Sequence, residues 1–185
     1  VPAAASSLIA LFLAVFPLTA SAAEVGAVPT SVELRNHEDK PVVIPAKKVI
    51  AVFYTDPDAG DMNDPLFDSL QQKRFDKSFF DAVIVINLHD SKVPNFIIRS
   101  GVKGEYEKNQ TTILLDANLT LAKAWGLGDC NNTSVVAVIG SDSKVKLLHK
   151  GPMRGTAVDA THTPIESLIA TAKASVPEKT EAPRQ

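Results

Sequence analysis

Two apolar runs, Lys48 to Tyr54 (KVIAVFY) and Asp81 to Leu88 (DAVIVINL), constrain this chain most. Both are nearly continuous and rich in β-branched residues, the pattern of strands covered on both faces rather than of a half-solvated ribbon. Between them Asp64 is expected to cap a helix with Pro65 at its first position. Leu66, Phe67 and Leu70 give that helix one apolar stripe to lay on a sheet. Strand, helix, strand with so long a crossover implies a parallel pair joined right-handedly.

The remaining segments add to that core. Val32-Glu33-Leu34 and Val42-Val43-Ile44 flank the polar stretch Arg35 to Lys40 and read as a hairpin. Pro41 and Pro45 would disturb a central ladder, so the hairpin belongs at an edge. From Pro94 to Lys108 the residues Phe96, Ile97, Ile98, Val102 and Tyr106 are spaced for a helix, weakened by Gly101 and Gly104 by about 1 kcal/mol each. Thr111 to Leu115 reads as a strand, Asp116-Ala117-Asn118 as a turn, and Leu119 to Trp125 as a short helix stopped by Gly126. Ser134 to Ile139 and Lys144 to His149, linked by Gly140-Ser141-Asp142-Ser143, form a second hairpin. Thr163 with Glu166 makes a capping box and Pro164 takes the first position of a last helix, whose buried stripe is Ile165, Leu168, Ile169 and Ala172.

The two ends differ in kind from the middle. Leu8 to Phe16 (LIALFLAVF) is continuously apolar, Pro17 ends it, and Ala20-Ser21-Ala22 offers the small-x-small pattern of signal-peptide cleavage. Cleavage is therefore expected between Ala22 and Ala23, with residues 1–22 a signal peptide. The run falls well short of the roughly 20 residues a bilayer-spanning helix needs. No Lys or Arg stands ahead of it and the chain starts at Val1, the expectation being a start other than Met or an n-region lying before Val1. Residues 176–185, Pro-rich and charged, are expected to be a disordered tail. The stretch 23–175 fits one domain, long enough to bury roughly 70% of its unfolded surface without disulfides. A net charge of −2 gives no basic footprint for nucleic acid and no polybasic patch for a membrane. One cysteine, Cys130, cannot make an internal disulfide even in an oxidising compartment.

The order hairpin, βαβ, helix, ββα carries a resemblance. TTILLDANLTLAKAWGL followed by SVVAVIGSDSKVKLLHKG resembles the second half of thioredoxin-fold proteins of the TlpA and peroxiredoxin kind. Within that superfamily the chain resembles the YtfJ family of bacterial periplasmic proteins. The likeness lies in the signal peptide, Phe96 to Ser100 (FIIRS) ahead of a charged helix, Leu115-Asp116 to Trp125-Gly126, and the hairpin Val135 to His149, and it covers roughly residues 30 to 175. It implies an α/β, thioredoxin-like fold, a central mixed sheet flanked by helices with an N-terminal β-hairpin, in an exported, periplasmic protein. It supplies no activity.

The departures from active thioredoxins matter more. The first central strand should run into C-x-x-C, whose leading thiolate is activated at a helix N-terminus. This chain has Thr55-Asp56-Pro57-Asp58-Ala59-Gly60-Asp61 there, and Asn131-Asn132-Thr133-Ser134 where the cis-proline belongs. Dithiol exchange, disulfide isomerisation and peroxidatic chemistry at that position are excluded, because no other side chain replaces an attacking thiolate. Cys130, in the polar loop Gly128 to Asn132, has two readings: an exposed single thiol for mixed disulfides or sensing, or an inert loop cysteine. Thiolate formation needs a nearby cation, none is adjacent in sequence, and Asp129 opposes it.

Other chemistries find less support. Asp56, Asp58, Asp61, Asn63 and Asp64 could gather a hard cation, but Gly60 precedes Asp61 and no Glu closes a calcium loop, so solvated carboxylates near a helix start explain them better. Val49 to Asp58 (VIAVFYTDPD) resembles the D-x-D strand end of haloacid-dehalogenase-like phosphatases only locally. His37, His89, His149 and His162 lie in four segments without metal spacing, the one suggestive neighbour being Asp90 beside His89. Trp125, at helical spacing from Leu121, reads as core. The expectation is a protein without cofactor, more binding module than enzyme, that takes an unidentified periplasmic protein or small ligand in the groove near Asp56 to Asp61 and Gly128 to Ser134. The alternatives are a single-thiol redox protein using Cys130 and a metal-dependent hydrolase at Asp56 to Asp64.

Overall fold

A computed structural model describes residues 23–91 and 93–175; the expected signal peptide and tail lie outside these residues. Seven strands form one mixed sheet: β1 (Val32–Asn36), β2 (Pro41–Ile44), β3 (Val49–Thr55), β4 (Phe80–Asn87), β5 (Thr112–Asp116), β6 (Ser134–Ile139) and β7 (Val145–Lys150). Their order is β2-β1-β5-β4-β3-β6-β7. The two apolar runs become β3 and β4, parallel neighbours in register from Val49↔Phe80 to Thr55↔Ile86. All seven residues of β3 are buried, as a continuous apolar run demands. The first hairpin sits at the sheet margin with β2 outermost, and β6 and β7 pair antiparallel around a turn closed by Gly140 N–H to the Lys144 carbonyl.

The helices cover two faces. On one, α1 (Asp64–Gln72) and α4 (Thr156–Ala174) bury Leu66, Leu70, Ile165 and Ile169 against Val49, Ala51 and Phe53. α2 (Asn95–Asn109) runs alongside β5, with Val102 packed on Leu88, Ile113 and Leu115. On the other, α3 (Thr120–Ala124) packs beneath Ile50, Val52 and Tyr54 with Trp125 at the centre. The segment 23–27 crosses this side, Ala23 N–H donating to the Trp125 carbonyl (2.8 Å) and Val145 exchanging bonds with Gly26 and Ala27.

Two helix starts depart from the sequence reading. Asn63, not Asp64, occupies the cap of α1, yet its side chain bonds elsewhere: Oδ1 accepts from Met153 N–H (2.8 Å) and Nδ2 donates to the Gly151 carbonyl (3.3 Å). Asp64 lies in the first turn, with Pro65 behind it. α4 begins at Thr156, so Thr163 and Glu166 form no capping box and Pro164 lies inside the helix. Burial of Val158 and Thr161 holds the extra turns in place, offsetting the hydrogen bond that Pro164 cannot donate.

Candidate functional site

The candidate site is the end of the sheet where β3 finishes and β6 begins. After Thr55 the chain makes a 3₁₀ turn, Pro57–Ala59, before α1. Asp56 caps that turn: its Oδ1 accepts the Asp58 N–H at 2.8 Å and its own N–H donates to the Thr133 carbonyl at 3.1 Å. The carboxylate is fully buried, and Oδ2 has no hydrogen-bond partner. Thr55 Oγ1 secures the same turn from within, 3.1 Å from the carbonyls of Asp56 and Ala59. The turn that follows β3 thus holds a buried capping carboxylate and no thiol.

Its two acidic neighbours behave differently. Asp58 and Asp61 are exposed, so the loop divides into one carboxylate committed to local structure and two in solvent. Among the described residues no group of three or more His, Cys, Asp or Glu is arranged to hold a metal. The local D-x-D likeness to phosphatases likewise places its first carboxylate, Asp56, in the cap.

Cys130 lies across the site and is 1% exposed. Its Sγ donates to the carbonyls of Gly128 (3.5 Å) and Leu127 (3.9 Å). Burial pushes the thiol above its ordinary range; the Lys150 ammonium pulls it back, and Asp129, Asp90 and Asp56 add to the upward push. Of the two readings, the exposed thiol is thus corrected. No cation is adjacent to Cys130 in sequence, but the fold supplies one: Lys150, from β7, reaches the loop and donates to the carbonyls of Leu127 (3.0 Å) and Asp129. A spacing argument could not find it, because the hairpin brings it from twenty residues away. In the native protein Cys130 should react with Ellman's reagent at least about tenfold more slowly than in urea, where the shielding is lost. Equal rates would show the thiol to be open.

One buried group was missed by the sequence reading. Asp116, at the end of β5, has no exposed surface; Oδ1 accepts Thr120 N–H (2.6 Å) and Oδ2 accepts Leu121 N–H (2.9 Å) and the Tyr54 hydroxyl (3.4 Å). It satisfies the opening amides of α3 and ties that helix to β3. Burial first, and the Asp116 carboxylate second, hold the Tyr54 phenol well above its ordinary value. The suggestive pair His89 and Asp90 is real, with Nδ1 to Oδ1 at 2.9 Å, and Asn87 Nδ2 donates to the other Asp90 oxygen at 2.7 Å. The hydrogen bond from His89 leads in lowering the Asp90 carboxyl. This cluster is a turn lock at the end of β4, with Asn87 Oδ1 accepting His89 N–H (3.0 Å).

A mixed sheet with this order, and the turn after β3 set beside the loop before β6, define a thioredoxin-like protein. Solved structures agree on the fold. A DsbE-like thiol:disulfide interchange protein of Chlorobium tepidum aligns with TM-score 0.60 at 16% identity over 80% of this chain and 99% of its own. The exposed lipoprotein thioredoxin Etrx1 of Streptococcus pneumoniae gives 0.56 at 17% over 75% and 100%. A peroxiredoxin-like protein of Aquifex aeolicus gives 0.58 at 10% over 80% and 88%. Residues 30–167 match the YtfJ_HI0045 family, described as bacterial proteins of unknown function, and the chain belongs to that family. No curated protein matches it. Among the described residues no helix is long and apolar enough to cross a membrane.

Proposed function

We propose that this is an exported, periplasmic binding protein that keeps the thioredoxin scaffold without its redox chemistry. The observation that carries the reading is the Asp56 N–H to Thr133 carbonyl bond, which sets the turn Asp56 to Asp61 beside the loop Gly128 to Ser134 with no accessible thiol in either. On this reading the turn and the loop are the walls of the binding groove, and the capping carboxylate of Asp56 stands in place of a nucleophile. Asp58, Asp61, Asn131 and Asn132 remain exposed on the facing rims, offering a polar, acidic surface to a partner. Burial of Cys130 weighs against the single-thiol alternative.

The test is crosslinking in cells followed by partner identification with the protein and with Asp58→Lys/Asp61→Lys. Both positions are exposed, so the double variant should keep its circular dichroism spectrum. Recovery of the crosslinked partner should fall about tenfold, since reversing two rim charges turns attraction into repulsion. Unchanged recovery would refute binding at this rim.

A further inference from the structure

Beside the candidate site, between α1 and α2 on the face of the sheet, lies an open cavity of about 330 Å³. Its walls are Phe67 of α1, Ile84 and Ile86 of β4, Ile113 of β5, and Ile98 and Val102 of α2. Pro57 and Gly60 of the 3₁₀ turn form one lip. Thr55 and Thr111 contribute the hydroxyls of the lining, and both are engaged: Thr55 Oγ1 with the turn carbonyls, Thr111 Oγ1 as acceptor of Gln71 Nε2 at 3.3 Å. Apart from these two hydroxyls the side chains of the lining are apolar, so the buried part of an occupant is hydrocarbon.

One residue of the lining is a helix-interior glycine. Gly101 of α2 lines it, yet the residue needs neither a left-handed backbone nor a close approach, and a Cβ there would meet nothing within 4 Å. Glycine in a helix costs about 1 kcal/mol against alanine. Here that cost brings no turn and no tighter packing, only unfilled space.

Charge surrounds the lip on one side. A small adjoining cavity shares Thr55, Gly60, Phe67 and Ile84 with the first and is also lined by Asp64. Asp58, Asp61, Asp64 and Asp68 are all exposed around this end. Burial leads in raising the Asp64 carboxyl, and the Asp68 and Asp61 carboxylates add to it, while Arg154 is the cation that offsets them. Crowded carboxylates beside an apolar cavity favour a cation at the mouth.

We propose that this cavity binds an amphipathic cation, its single alkyl or similarly slim apolar body inserted between α1 and α2 and its ammonium group held at Asp64 and its acidic neighbours. The site shares its acidic mouth with the rim at Asp58 and Asp61, but its apolar walls are formed by other residues, so the two occupants are tested separately.

The probes are decylammonium, decanol and decanoate, titrated calorimetrically below their aggregation thresholds. Decylammonium should bind saturably to one site, decanol more weakly, decanoate weakest. Gly101→Leu, which places a side chain in the opening, should weaken decylammonium binding at least about tenfold. Gly104→Leu makes the same change of helix propensity at a position outside the lining and should leave binding unaltered. Asp64→Asn should bring decylammonium close to the affinity of decanol. The inference is overturned if neither decylammonium nor decanol binds saturably, if Gly101→Leu binds as well as the native protein, or if decanoate matches decylammonium. Loss of partner crosslinking in Asp58→Lys/Asp61→Lys bears on the proposed function alone, since this titration uses neither substitution.

Discussion

Replacing Trp125 with alanine is expected to lower the unfolding free energy by about 4 kcal/mol. Trp125 is the chain's one tryptophan and is 1% exposed, packed at the centre of the core under β3. Truncation removes a large buried side chain from a close-packed region that can relax only in part, leaving a cavity. It also strands a carbonyl, because Nε1 donates to the Thr30 oxygen at 2.8 Å and fastens the chain ahead of β1 to the body of the domain. Trp125→Phe retains most of the volume and loses the hydrogen bond, so it should fall between the two. Urea unfolding followed by circular dichroism measures both, since the fluorophore itself is removed. A loss below about 1 kcal/mol for the alanine variant would contradict this account of the core.

The second large effect is expected at Asp116. Asp116→Ala should cost about 3 kcal/mol, because it leaves the amides of Thr120 and Leu121 and the Tyr54 hydroxyl without their buried acceptor. Asp116→Asn keeps one acceptor oxygen at nearly the same place and should recover more than half of the loss. Near-neutral behaviour of the alanine variant in urea unfolding would mean that water reaches the start of α3. Amide exchange at Leu121 gives a second reading, rising in the alanine variant well before global unfolding.

These two residues show where sequence reading succeeds and where it stops. Trp125 was readable as core because it follows Leu121 and Ala122 at helical spacing and Gly126, at φ 62°, ends the helix. The strands were readable for a similar reason: runs such as VIAVFYT and SVVAVI have no polar face to offer and must be covered. Asp116 carries a fainter signal, an acid closing a buried strand four residues before the first bonded amide of a helix, which in sequence looks the same as an ordinary turn residue. The starts of α1 and α4 failed for one cause. Asp64 and Pro164 are locally well suited to open a helix, but Asn63 is drawn to Met153 and Gly151, and Val158 and Thr161 are drawn into the core, by contacts ninety residues away or on another layer.

The site divides in the same way. The absence of sulfur at Thr55 to Asp61 is a matter of composition at a position, and alignment with the fold's motif suffices to see it. The state of Cys130 is set by tertiary structure: Lys150 arrives from β7, and burial comes from packing against Tyr54, Trp125 and Leu127. Lys150 and Tyr54 lie far from residue 130 in the chain, and only the fold brings them to it. The cavity beside α2 was invisible for the opposite reason, since Gly101 registered in the sequence only as a weakness in a helix.

The two margins of the sheet carry a last consequence. An open sheet ends in strands whose outward N–H and C=O groups can recruit a strand from another molecule. Here the β2 margin is four residues long and starts with Pro41, which has no amide to lend. At the β7 margin the first residue, Val145, is already paired on both its N–H and C=O with Ala27 and Gly26, and exposed Lys146 and Lys150 stud the rest. A second copy of the domain therefore meets a blunted ribbon on either flank, and strand exchange between molecules is disfavoured at both. The segment 23–27 thus acts as a selvedge, finishing the weave of the sheet where it would otherwise fray into its neighbours.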